Sequence, residues 1–161
     1  MTARSDPLET GRQRSFHVLI VDDNAADREL TSILLSSVWP FERDLEIDHA
    51  EDGPQALEKL HAKKFALVIL DWRMPLMNGD EVLGRMRAGG LRAPVIVMSG
   101  LSREEMTMEF EKLGAVYLSK EEMTTASFHR AIAQSLKMLG FALPPTSDRP
   151  ATGSRPSVPG T

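Results

Sequence analysis

Residues 16–23 read FHVLIVDD: six nearly all-apolar positions running straight into two aspartates. A run this short and this continuous is a strand buried on both faces, because a helix would need a polar side and a half-exposed strand would alternate. A strand covered on both faces demands layers above and below it, which points to a parallel sheet with helices on either side. The pattern repeats downstream. FALVIL at 65–70 ends on Asp71, PVIVM at 94–98 ends on Ser99, and the short run Val116–Leu118 precedes Lys120.

Helical spacing fills the intervals. Leu30, Ile33, Leu34 and Val38 fall at i, i+3, i+4 and i+8, with Asn24 as a cap and Pro40 as a stop. Leu45, Ile47 and His49 alternate with Glu46 and Asp48, the pattern of a second strand near a sheet edge. Asp52-Gly53-Pro54-Gln55 then combines a capping residue, an early proline and Gln at the third position, ahead of Ala56, Leu57 and Leu60. Val82, Leu83 and Met86 mark a third helix stopped by Gly89-Gly90. Ser102 and Glu105 have capping-box spacing ahead of Met106, Phe110 and Leu113, and Phe128, Ala131, Ile132, Leu136 and Leu139 form a fifth helix ending near Gly140. Five strands alternating with five helices predict an α/β fold: a five-stranded parallel sheet with helices on both faces, joined by right-handed crossovers.

Composition bounds the rest. The 161 residues are 42% hydrophobic and 26% charged, enough to build one core. Residues 1–15 are polar and aperiodic, and residues 144–161 hold five of the ten prolines with one sizeable apolar side chain, so a single domain over 16–142 is expected between a flexible N-terminal extension (1–15) and a Pro/Ser-rich tail (143–161). No apolar run approaches the roughly 20 residues that span a bilayer. The N-terminus has no signal-like apolar core. Cysteine is absent, which removes disulfides and thiolate chemistry and fits a reducing cytoplasm. The net charge is −4, and residues 16–143 alone carry −6, so binding to nucleic acid through phosphate contacts is not expected.

In sheets of this type, sites lie beyond the carboxyl ends of the strands, where strand order reverses. That edge would collect Asp22, Asp23 and Asp71, with Ser99 and Lys120. Crowded carboxylates repel one another, and the usual remedies are a raised pKa or a hard cation. Magnesium suits such a cluster because it takes one or two carboxylates and leaves room for a phosphate oxygen. An aspartate can itself attack phosphorus. Positioning and charge neutralisation then do most of the catalytic work, with Lys120 and Ser99 able to contribute.

VDDNAAD at 21–27 and LDWRMPLMNG at 70–79 resemble the receiver domain of two-component response regulators, a flavodoxin-like doubly wound fold shared with chemotaxis regulators. The second stretch fits the family pattern D-x-x-M-P-x-M-x-G at Asp71, Met74, Pro75, Met77 and Gly79. The resemblance covers about 16–140 and implies a response regulator whose Asp71 accepts a phosphoryl group from a histidine kinase or histidine phosphotransfer protein. It implies a Mg2+ ion held by Asp22, Asp23, Asp71 and the backbone carbonyl of Arg73, with Lys120 on the phosphoryl oxygens. Ser99 and Tyr117 would be the switch pair, read out on the face formed by the fourth helix, fifth strand and fifth helix. Such a protein catalyses only its own phosphoryl transfer and dephosphorylation. With a tail too short for an output domain, a stand-alone receiver acting through protein contacts is expected. Receivers of this family often dimerise through their last two helices, so a homodimer is among the partners implied.

One position departs from the family. Proline usually follows the lysine, with a cis peptide, whereas this chain reads Lys120-Glu121. A cis bond before a non-proline residue costs about 2.5–4 kcal/mol, so a trans bond and a reshaped loop are expected there. That departure motivates an alternative, a receiver-fold scaffold that binds without phosphorylation. A phosphatase of the haloacid dehalogenase type fits less well, because its second aspartate would stand where this chain has Arg73. A flavodoxin fits less well again, because Asp22 and Asp23 occupy the loop that should cradle a phosphate. Met106 and Met108, two apart, would not share a face of the fourth helix, so one is expected to be exposed. His17, His49, His61 and His129 show no zinc spacing.

Overall fold

The computed structural model describes residues 15–39, 44–106 and 109–137. Its strands are β1 (Phe16–Val21), β2 (Leu45–Ala50), β3 (Leu67–Asp71), β4 (Val95–Ser99) and β5 (Ala115–Ser119); its α-helices are α1 (Ala25–Val38), α2 (Gly53–Ala62), α3 (Gly79–Ala88) and α4 (Thr125–Lys137). All strand pairs are parallel, in the order β2-β1-β3-β4-β5, so the half-exposed strand LEIDHA sits at an edge as its alternation predicts. The N- and C-terminal extensions, Pro40, Met108, Leu139 and Gly140 lie outside the described residues.

Period-2 geometry divides the apolar strand residues between two cores. Leu19, Val21, Val68, Leu70, Val95 and Val97 face α2 and α3, where they meet Ala56, Leu60, Val82, Leu83 and Met86. Val18, Ile20, Leu67, Ile69, Ile96 and Met98 face α1 and α4, against Leu35, Phe128, Ala131, Ile132 and Leu136. Continuous apolar strands therefore build a sheet covered on both sides. Local chemistry fixes the helix starts. The Asn24 Oδ1 accepts the Asp27 N–H at 2.9 Å, and the Asp52 Oδ1 accepts the Gln55 N–H at 2.8 Å while the Gln55 side chain accepts the Glu51 N–H.

Two expectations are corrected. The inner stripe of α1 is rotated: Leu30 and Ile33 are 50% and 59% exposed, and the buried positions are Thr31 and Leu35, with Leu34 and Val38 partly covered. The expected fourth helix is not an α-helix among the described residues. Two 3-10 turns, Arg103–Glu105 and Phe110–Leu113, stand in its place, so the fifth expected helix is α4. The Ser102–Glu105 capping pair does form, with the Ser102 hydroxyl donating to the Glu105 carboxylate at 3.0 Å, but it starts only a single turn. The second turn ends at Gly114, whose φ of 70° suits a residue without a Cβ. Met106 packs partly against the α2/α3 core.

The ends of α3, β4 and β5 are tied together by one side chain. The Arg87 guanidinium donates to the carbonyls of Leu113 (2.7 Å), Leu91 (2.7 Å), Ala93 (2.9 Å) and Gly114 (3.3 Å). Burial and the neighbouring Arg92 lower its pKa.

Candidate functional site

Strand register assembles the site. Val21 pairs with Leu70, Asp71 with Met98, and Ser99 with Ser119. Asp22 and Asp71 therefore stand level with each other and with Met98, while Ser99 comes one residue further along and Lys120 two, all at the carboxyl edge. Between β1 and β3 the strand order reverses, which opens the crevice where ligands bind in such sheets.

Asp22, Asp23 and Asp71 each bring a carboxylate oxygen into a group whose members all lie within 4.8 Å of one another. Among the described residues this is the one cluster with the donor set for a metal ion. Asp22 and Asp71 are buried and Asp23 is exposed, so the cluster opens to solvent on one side. Burial raises the Asp71 carboxyl to about 6, reinforced by the Asp22 carboxylate and opposed by Lys120. Burial likewise raises Asp22, against the Asn24 backbone N–H and Lys120. The two acids are thus undercompensated by protein groups alone, and an all-oxygen set of this kind suits a hard divalent cation.

The Lys120 Nζ lies 3.3 Å from Asp71 Oδ1 and 3.4 Å from Asp22 Oδ2. Burial alone would lower its pKa, but Asp71 and Asp22 outweigh that and raise it. The chain reaches this position without a proline after the lysine. Lys120–Glu122 forms a 3-10 turn in which the Ser119 Oγ accepts the Glu121 N–H at 3.3 Å, a donor that proline lacks. Sequence reasoning missed this cap and also missed Asp27, whose carboxylate lies 3.6 Å from the Lys120 Nζ. It missed Arg28 too, which donates to the Asp22 carbonyl at 2.8 Å and braces the acidic loop. Asp27 and Arg28 lie within or next to the VDDNAAD stretch, but nothing in its spacing marks them as site residues.

Ser99 is buried, and its Oγ accepts the Leu101 N–H at 3.1 Å. Tyr117 is also buried, with its hydroxyl donating to the Leu101 and Ser99 carbonyls. Its ring stacks on Phe110 at 5.6 Å, and Phe110 meets Trp72 edge-on at 5.3 Å. Trp72 follows Asp71 directly, so three rings connect the loop after Asp71 to the Ser99–Leu101 segment. Arg73 stands two residues beyond Asp71 with an exposed side chain.

The loop after Asp71 is tightly folded. Leu76 adopts a left-handed φ of 70° with its side chain in solvent, and the Met74 N–H donates to the Asn78 Oδ1 at 3.3 Å. A Cβ on Gly79 would lie 2.8 Å from the Asp71 carbonyl oxygen and 2.9 Å from the Trp72 Cα. Glycine therefore lets the start of α3 press against the end of β3, where the Gly79 N–H donates to the Trp72 carbonyl at 2.9 Å.

Comparison with known proteins agrees with this geometry. Residues 18–133 match the response regulator receiver domain. The transcriptional regulatory protein FixJ of Bradyrhizobium diazoefficiens is 32% identical over 123 residues, covering 74% of this chain and 58% of FixJ. A protein-glutamate methylesterase/protein-glutamine glutaminase of Desulfotalea psychrophila is 34% identical over 130 residues, 78% of this chain and 35% of that enzyme. The chain thus spans less than two thirds of the length of each of these relatives. Among solved structures, the Vibrio cholerae chemotaxis protein CheY4 superposes with a TM-score of 0.62 at 26% identity, covering 76% of this chain and 99% of that one. The Francisella response regulator 1452 receiver domain gives 0.62 at 25% identity, covering 78% and 99%. No helix of the described residues is long and apolar enough to cross a membrane. Doubly wound topology, an acidic pocket at the switch point and a match over 18–133 lead to one conclusion: the chain belongs to the response regulator receiver domain family.

Proposed function

We propose that this protein is a phosphorylation switch: Asp71 accepts a phosphoryl group from a phosphohistidine on a histidine kinase or histidine phosphotransfer protein. The observation that carries this reading is the convergence of Asp22, Asp23 and Asp71 within 4.8 Å, with the Lys120 ammonium 3.3 Å from Asp71. In the transfer an Asp71 carboxylate oxygen attacks phosphorus, a P–O bond forms, and the P–N bond to the donor imidazole breaks as that ring leaves. Mg2+, held by Asp22, Asp23, Asp71 and the backbone carbonyl of Arg73, would neutralise charge on the transferring oxygens. Lys120 supplies a second positive charge, and its contact with Asp71 places it beside the acceptor oxygen.

Ser99 is the hydroxyl that answers the new phosphoryl group. To do so it gives up the Leu101 N–H, which frees the segment whose carbonyls Tyr117 holds. A local charge thereby selects between two packings of the face formed by the 3-10 turns Arg103–Glu105 and Phe110–Leu113, β5 and α4. Partners read that face, and pairing of two copies through it is one such contact. The proposed unit runs over 16–142, flanked by extensions at 1–15 and 143–161. It acts on no substrate other than its own acceptor, and the absence of cysteine suits a cytoplasmic setting.

Incubation with magnesium and acetyl phosphate, followed by intact-mass measurement, tests the reading. The protein should gain one phosphoryl group and Asp71→Asn should gain none. Equal labelling of both, or of neither, would refute it.

A further inference from the structure

Lys120 is shared by three carboxylates rather than two. Its Nζ lies 3.3 Å from Asp71, 3.4 Å from Asp22 and 3.6 Å from Asp27. All three separations exceed the roughly 2.7–2.9 Å of a committed N–H···O⁻ bond, so the ammonium is divided among them. Asp27 does not belong to the metal-capable trio, which is Asp22, Asp23 and Asp71. It also holds its place independently of Lys120. It sits in the first turn of α1, where a carboxylate is favoured, and its N–H is capped by Asn24.

We propose that Asp27 is a positioning residue for Lys120 that slows phosphoryl uptake: by sharing the ammonium from the solvent side, it keeps Lys120 from committing to the acceptor. This rests on the phospho-acceptor reading of Asp71. The physical basis is competition. A lysine ammonium has three donors, and here three carboxylates lie within 3.6 Å of it. An incoming phosphoryl group carries oxygens that need one of those donors, and Asp27 adds a negative charge near the place where that group must settle. Removing the Asp27 charge frees a donor and weakens the repulsion together. Asp27 is about half exposed, so solvent screens it and the effect is moderate. An acidic residue that merely favours the start of α1 would affect stability and leave the rate of transfer alone.

The test compares wild type, Asp27→Asn and Asp27→Glu in saturating magnesium with acetyl phosphate. In this step the acetyl P–O bond breaks, acetate leaves, and an Asp71 oxygen takes the phosphoryl group. Initial rates come from intact mass at low salt and at 0.5 M salt (about 4 Å screening length). Asp27→Asn should take up phosphate about threefold faster at low salt, with the gain shrinking at high salt, while Asp27→Glu stays near wild type. Urea unfolding of all three reports stability separately. A rate unchanged or lowered in Asp27→Asn, or the two variants moving together, would overturn the proposal while leaving the Asp71 reading intact. Failure of wild type itself to gain phosphate would overturn both.

Discussion

Replacing Asp71 with asparagine should stabilise the metal-free protein at neutral pH, even though it weakens an ion pair with Lys120. Burial and Asp22 raise the folded-state pKa of Asp71 from 3.8 to about 6, with the attraction of Lys120 already included. The folded chain then binds the Asp71 proton more tightly than the unfolded chain does. Stability therefore falls as pH rises from about 4 to about 6, and above that the full cost of holding the ionised group is present. About 2 pKa units correspond to about 3 kcal/mol. Asparagine removes the charge while keeping one acceptor oxygen and an N–H donor, so a gain of about 2–3 kcal/mol is expected. With an m-value of about 2 kcal/mol/M, the urea midpoint at pH 8 in chelator should rise by about 1–1.5 M. The gain should shrink towards zero near pH 4, where the wild-type carboxyl is also neutral. Magnesium should narrow the gap at pH 8 by stabilising wild type more than the variant. A variant that is less stable than wild type at pH 8 in chelator would refute the electrostatic account of the pocket.

Four further substitutions test how the fold supports the site. Leu35→Ala, at a fully buried position of α1, should cost about 2–5 kcal/mol, whereas Ile33→Ala should stay within about 0.5 kcal/mol. Urea melts of the pair reveal the phase of that helix. Gly79→Ala forces a Cβ against the Asp71 and Trp72 backbone and should cost about 1–3 kcal/mol, with a matching loss of magnesium affinity by titration. Arg87→Met removes four bonds to backbone carbonyls and should destabilise by about 3 kcal/mol without slowing phosphoryl uptake per folded molecule, because Arg87 lies at the opposite end of β4 and β5 from Asp71.

The sheet was legible because burial on both faces leaves unbroken apolar runs. Phe16–Val21 is the strand that its composition predicts, and the aspartates after it fall where β1 ends. The phase of α1 was less legible. Ile33, Leu34 and Leu35 are consecutive apolar residues, so the stripes through Leu30 and through Thr31 share Leu34 and Val38. Packing on the sheet selects the second, and periodicity cannot. The fourth helix was misread for a different reason. Ser102 and Glu105 do pair, but Phe110 is drawn between Trp72 and Tyr117, and Gly114 turns the chain left-handed four residues later. Those tertiary contacts outweigh helical spacing. At the site, Asp22, Asp23, Asp71 and Lys120 were readable from their places at strand ends. Asp27 was not, because a carboxylate in the first turn of a helix is ordinary until the fold brings Lys120 to it.

Borohydride reduction of the magnesium- and acetyl phosphate-treated protein converts an aspartyl phosphate to homoserine, and peptide mass mapping then locates it. Homoserine is expected at residue 71 and nowhere else. Homoserine at Asp22, Asp23 or Asp27, or an unmodified Asp71 in protein that has gained phosphate, would contradict that expectation.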